Sequence, residues 1–150
     1  MKRKNTDQLL KELMDSNDLS RVLSDNSTCF REGDLPHGLQ TLFDQQDMSK
    51  SALAKASGIS EVYLHQVFSG RRTPSRDRLL CLCIGLGASA EEAQSLLQQA
   101  HHAPLYARDK RDAVLLFCCD YAQPEQVHEI LTKSGVDGLI ARPFFLSNLI

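Results

Sequence analysis

The side chains of this chain best suited to selective polar chemistry cluster in segment 60–69. With Leu64, Val67 and Phe68 taken as the inward face of a helix, Glu61, Val62, His65 and Gln66 remain on the outward side. Such a set could read base edges. A glutamine amide pairs with adenine through both of its polar atoms, and a valine methyl can lie against a thymine methyl. A carboxylate can accept from the amine of cytosine while repelling nearby phosphates. Tyr63 adds a hydroxyl that could reach a phosphate or stay at the domain surface. Two of these residues also have a purely structural account. The helix dipole alone favours an acid in a first turn, as at Glu61, and His65 reads equally well as a solvent-exposed histidine.

Two helical periods meeting at Gly58 would hold that face outward. Before the turn, Ser49 can cap a helix whose apolar positions are Leu53 and Ala54; after it, Ser60 can cap the helix of Leu64, Val67 and Phe68. Ala54 faces the crossing, where a larger side chain would push the helices apart. Gly58 can take the left-handed conformation that a sharp helix exit requires, and Ile59, just before the cap, can staple the second helix to the core. An ordinary helical hairpin shares some of these features. The agreement of segment length, turn and caps points to a helix-turn-helix.

The following residues, Ser69-Gly70-Arg71-Arg72-Thr73-Pro74-Ser75, stop the second helix with Gly, add two cations and start another helix beside Pro. With this feature, residues 38–97 resemble the phage-repressor type of helix-turn-helix, the Xre or Cro family. The resemblance implies an all-α, repressor-like bundle of about five helices. The first would be 36–46, with Leu39, Leu42 and Phe43 inward, and the second and third those just described. The fourth would be 75–86. The fifth would be 89–100, where Ser89 and Glu92 can form a capping box ahead of Leu96 and Leu97.

The resemblance further implies that helix 60–69 enters the major groove of double-stranded DNA, with Glu61, Val62, His65 and Gln66 toward the bases. Lys50, Ser51, Ser69, Arg71, Arg72 and Thr73 match positions the family commonly sets against phosphates, and Tyr63 is a further candidate. Repressors of this type commonly bind as symmetric dimers, so a homodimer is expected. The string Pro104-Leu-Tyr-Ala-Arg-Asp-Lys-Arg-Asp-Ala113 is similar to a feature of a group of small bacterial Xre-like proteins with a C-terminal helical extension.

Charge bears on this reading in two directions. The formal net charge of −2 argues against a polyanion partner, because phosphate neutralisation dominates nucleic-acid affinity. Locally the balance reverses. Between residues 49 and 78 there are six cations (Lys50, Lys55, Arg71, Arg72, Arg76, Arg78) against two anions (Glu61, Asp77). Such asymmetry can orient a weakly charged protein on a duplex, and solvated cations on a helix face would give the same count. Arg76 and Arg78 are expected to cover the apolar surface of the fourth helix or to pair with Asp77.

The organisation reads as an N-terminal arm and linker (1–35), a helix-turn-helix domain (36–100) and a C-terminal helical extension packed on it (101–150). In the arm, Leu9, Leu10, Leu13 and Met14, then Leu19, Val22 and Leu23, have amphipathic spacing, and 25–34 looks like a loose linker. The arm could cover the core, bind a partner or carry a regulatory phosphate. In the extension, His101 to Tyr106 reads as a linker packing back through Leu105 and Tyr106. Helices 109–122 and 124–134 would follow as a hairpin, with Val114, Leu115, Phe117, Cys118 and Tyr121 facing Val127, Ile130 and Leu131. A buried strand at 114–119 competes, but no second strand is evident. The apolar end 142–150 would fold onto the hairpin or meet a second copy.

Other classes find little support. No apolar run approaches the ~20 residues of a spanning helix, and the start lacks a signal-peptide core, so a cytoplasmic location is expected. The five cysteines do not read as a disulfide scaffold. Cys81 and Cys83 fall among Leu79, Leu80, Leu82 and Ile84 as core thiols, and Cys118 and Cys119 lack the spacing of a zinc site. His101-His102 could bind metal with a thiol, but adjacent linker histidines do so rarely. No catalytic residues, metal or cofactor are expected: there is no phosphate-cradling glycine loop and no Ser-His-Asp order. The leading expectation is a sequence-specific DNA-binding transcriptional regulator. An adaptor that reuses the bundle to bind a protein, through the arm or the hairpin, is the alternative.

Overall fold

Short polar side chains set the helix starts. Asn5, Asp18, Asp34, Ser49, Ser60, Ser75, Ser89 and Asp109 each accept an N–H from the first turn of the helix that follows, satisfying a donor the helix itself leaves unpaired. The computed structural model describes residues 4–29 and 34–139, which fall in two units, Met1–Glu32 and Gly33–Ile150. All regular structure among the described residues is helical.

In the first unit, α1 (Thr6–Asp15) and α2 (Leu19–Asp25) pack together and a 3-10 turn follows at Ser27–Cys29. Asn26 is buried and donates to Glu12 (3.0 Å) and to the Val22 carbonyl (2.8 Å), tying the end of α2 to α1. Of the arm's apolar residues Val22 is buried, whereas Leu10, Met14, Leu19 and Leu23 are exposed. The stretch expected to be a loose linker thus begins with the end of α2 and an ordered turn. Residues 30–33 and the apolar end 142–150 lie outside the described residues.

The second unit contains α3 (Leu35–Asp44), α4 (Lys50–Ser57), α5 (Glu61–Phe68), α6 (Arg76–Gly85), α7 (Ala90–Gln99), α8 (Lys110–Tyr121) and α9 (Pro124–Lys133). The five expected bundle helices are α3 to α7, each within one or two residues of its expected ends, and the capping box of Ser89 and Glu92 forms. Segment 114–119 is helical, so the competing strand does not form.

α6 lies at the centre. From Leu79 to Gly85 every residue is buried, the pattern of a helix surrounded by protein, and it packs on α4, α7 and α8. α4 approaches it at Gly85, where a Cβ would overlap the Ser57 hydroxyl and lie 3.2 Å from Leu53 Cδ1 and 3.3 Å from the Ser57 amide. Glycine is therefore required by close approach rather than by backbone angle.

The extension is fastened to α6 by two crossed ion pairs. Arg76 of α6 forks onto Asp112 of α8 (3.2 and 2.9 Å) and donates to the carbonyls of Ala103 and Pro104. In return Arg111 of α8 forks onto Asp77 of α6 (3.1 and 2.9 Å) and donates to the carbonyls of Asp137 and Gly138. Asp77 therefore pairs with neither Arg76 nor Arg78, contrary to expectation. A neighbour on the same helix offers only a solvated pairing, while the bidentate fork across elements satisfies donors and acceptors together. The linker is held as well: Gln94 brackets Leu105 through both backbone groups (2.8 and 2.6 Å), and His102 Nε2 lies 2.8 Å from the Pro74 carbonyl.

Three apolar assignments need correction. Leu105 is buried but Tyr106 is exposed, because the Tyr106 amide is drawn to Asp112 (3.0 Å) while its ring stays outside. On α8 the inward face is Asp112, Leu115 and Cys118. Phe117 and Tyr121 point outward and pack on each other, ring centroids 5.2 Å apart. Cys81, Cys83 and Cys118 are core residues, and no group of metal-ligand type gathers among the described residues. Burial pushes the Cys83 thiol far up and the Cys119 thiol up to about 11, which leaves both protonated and unreactive.

Burial by itself raises the Asp112 pKa. The Arg76 guanidinium, the Tyr106 amide and the charge of Arg111 outweigh it and hold the carboxyl below the usual carboxylate range. A depressed carboxylate pKa contributes stability that is complete above the unfolded value and disappears as pH falls through the folded one. Asp112→Asn is thus expected to lower stability by about 2 kcal/mol at neutral pH in urea denaturation. Its gap from wild type should shrink steadily below about pH 4. Gly85→Ala is expected to cost about 1–3 kcal/mol in the same assay by prising α4 from α6.

Candidate nucleic-acid interface

Three features fix the attitude of α5. Gly58 ends α4 in the left-handed region (φ 68°), Ser60 then accepts the Tyr63 amide (3.2 Å), and buried Ile59 between them anchors the turn. Leu64, Val67 and Phe68 are buried beneath, with Leu53 and Ala54 of α4 in the same core. The helix cannot roll, so its outward face is set.

That face carries Glu61, Val62 and His65, all exposed, and half-buried Gln66; Val62 is 71% exposed although apolar. Glu61 and His65 lie one turn apart, with Glu61 Oε1 3.7 Å from His65 Nε2, an exposed contact worth little. A shallow groove joins several of the expected residues: Lys50, Val62, His65, Gln66, Ser69 and Arg71 line it together with Phe68. Ser51, Arg72 and Thr73 are exposed but do not line the groove, and Tyr63 is half-buried on the opposite flank of α5.

The loop after α5 is tied to it through one carbonyl. The oxygen of Gln66 accepts from the amides of Arg71 (2.9 Å) and Arg72 (3.2 Å) and from the Ser69 hydroxyl (3.1 Å), while Gly70 takes φ 82° to let the chain turn back. Both arginines therefore emerge beside the outward face. Neither forms an ion pair among the described residues, in contrast to Arg76 and Arg111.

Aromatic rings brace the cations on each flank. Lys50 stands over Phe68 (4.7 Å to the centroid) and Phe43 (5.9 Å), which meet edge to face. On the other flank Arg78 lies over Tyr63 (4.7 Å) and Arg72 approaches the same ring (5.9 Å). Arg78 thus covers Tyr63 of α5 rather than the apolar surface of α6. Sequence reasoning missed this, since residues 63 and 78 belong to different helices and no spacing rule links them.

Residues 34–96 match the family model described as a helix-turn-helix domain. The match runs from the cap of α3 into α7 and spans both helices of the motif, so this stretch is similar to helix-turn-helix domains in sequence as well as in the order of its helices. No curated protein and no solved structure matches the chain. No helix among the described residues is long and apolar enough to cross a membrane.

The turn should be energetically separable from the outward face. Ser60→Ala is expected to lower stability by about 1 kcal/mol through removal of the cap. Gly58→Ala should cost about 1–2 kcal/mol through the left-handed backbone. Val62→Ala, fully on the solvent side, should leave stability in urea within about 0.5 kcal/mol of wild type.

Proposed function

We propose that the protein is a sequence-specific DNA-binding transcriptional regulator of the Xre or Cro type, which inserts helix 60–69 into the major groove of double-stranded DNA. One observation carries the reading: the outward face of α5 shares a groove with Lys50 and Arg71, and the arginines that emerge beside it have no internal carboxylate among the described residues. A fixed helix beside unneutralised guanidinium groups suits a polyanion with a readable groove. In this reading Gln66, Val62, His65 and Glu61 meet base edges, and Lys50, Ser51, Tyr63, Ser69, Arg71, Arg72 and Thr73 meet the backbone. Two copies would bind two half-sites as a homodimer, with the arm 1–35 and the extension 101–150 as accessory parts of each.

An adaptor that binds a protein is the competing reading, and the exposed Phe117–Tyr121 pair and the net charge of −2 favour it. Selection of bound duplexes from a random library separates the two, since an adaptor enriches no sequence. The regulator is expected to enrich a consensus. Replacing Arg71 and Arg72 together with Ala should weaken binding to all duplexes alike and reduce the slope of log affinity against log salt by about 0.9 for each phosphate no longer neutralised. Gln66→Ala should instead relax preference at one position by about 1–3 kcal/mol. Unchanged low-salt binding in the double variant would refute the backbone assignment.

A further inference from the structure

We propose that Arg78 is a further phosphate-gripping residue of the α5 flank, and that Tyr63 acts through the face of its ring as the positioning residue for Arg78 and Arg72. This role rests on the DNA-binding reading and extends it to a helix, α6, that contributes nothing to the expected DNA-facing set.

The three charged residues that open α6 have separate fates. Arg76 is occupied by Asp112 and two carbonyls, and Asp77 by Arg111. Arg78 is exposed and makes no ion pair among the described residues; its guanidinium rests 4.7 Å from the Tyr63 centroid. Since Asp77 is claimed by α8, the nearest carboxylate in sequence does not neutralise Arg78. The crossed pairs that fasten the extension therefore also leave this cation available.

A guanidinium lying on a ring keeps its N–H donors at its rim, so stacking and edge-on donation to a phosphate are compatible. The stack also restrains a long side chain before binding, which lowers the entropic cost of gripping a phosphate. Tyr63 is one residue past Val62 on α5, so its ring holds both guanidinium groups directly beside the groove-facing side chains. Lys50 on Phe68 and Phe43 provides the equivalent on the other flank. The outward face of α5 thus lies between two aromatic-braced sets of cations, as expected of a helix between two phosphate strands.

The test measures binding of the full chain to a labelled pool of short random-sequence duplexes at several salt concentrations. Arg78→Ala is expected to weaken low-salt binding roughly five- to tenfold and to reduce the salt slope by about one unit. Tyr63→Phe removes the hydroxyl and keeps the ring, so Arg78→Ala should weaken binding by the same factor in that background as in wild type. Tyr63→Leu should weaken binding and halve, or more, the further effect of Arg78→Ala in the double variant. A wild-type slope in Arg78→Ala, alongside a reduced slope in the Arg71 and Arg72 double variant, overturns the Arg78 assignment and leaves the DNA reading standing. Equal Arg78→Ala effects with and without the Tyr63 ring, or an Arg78→Ala effect that shrinks in the Tyr63→Phe background as much as in Tyr63→Leu, overturn the ring's role. Wild-type protein that binds no duplex at any salt overturns the DNA reading and this inference together.

Discussion

The roll of α5 about its own axis is the constraint from which the rest follows. Leu64, Val67 and Phe68 are buried on one side of an eight-residue helix, so rotating it by one position would expose them and bury Val62, Gln66 or Glu61 instead. Each of those apolar side chains contributes about 1.5–3 kcal/mol by leaving water, which no surface interaction on the other face can match. Hydrophobic burial therefore decides which polar side chains the helix displays, although it touches nothing outside the molecule.

Beneath α5, a central helix buried along most of its length organises the second unit. α6 is apolar nearly all round and meets α4 where Gly85 permits close approach, so the angle of the motif is set by sterics on the side away from the display face. Its charged first turn performs a different task. Arg76 and Asp77 pair with Asp112 and Arg111 of α8, which joins the extension to the bundle and takes two charges of each sign out of the surface balance. Of the three charged residues that open α6, the one left exposed is the cation Arg78. The net charge of −2 is thus a poor guide to the flank where Arg78 lies, because Asp77, the carboxylate next to it in sequence, faces an arginine of another helix.

The braced cations show how one residue type is put to unlike uses. Arg76 and Arg111 are forks that close gaps between helices, whereas Arg71, Arg72 and Arg78 face solvent beside α5. The difference lies in what each can reach: carbonyls and a carboxylate in the first case, an aromatic face or water in the second. Composition counts these five as equal.

Much of the fold was legible in the sequence because its signals are local. Ser49, Ser60, Ser75 and Ser89 mark helix starts within a residue, Gly58 marks the turn, and the apolar spacing of α3, α5 and α7 gives their buried faces. These depend on interactions within about one helical turn, which the order of residues specifies. The sequence also determined the candidate outward face, since naming the inward residues of α5 names the others. What only the tertiary structure decided depends on partners far apart in the chain. Phe117 and Tyr121 satisfy a helical period on α8 yet face outward, because α8 buries Leu115 and Cys118 in the core and turns Asp112 to Arg76 of α6. The ring under Arg78 and the glycine at the α4 crossing are equally invisible to spacing. Each is fixed by which surfaces the packed helices bring together, and that is settled by burial summed over the whole unit rather than by any neighbouring pair of residues.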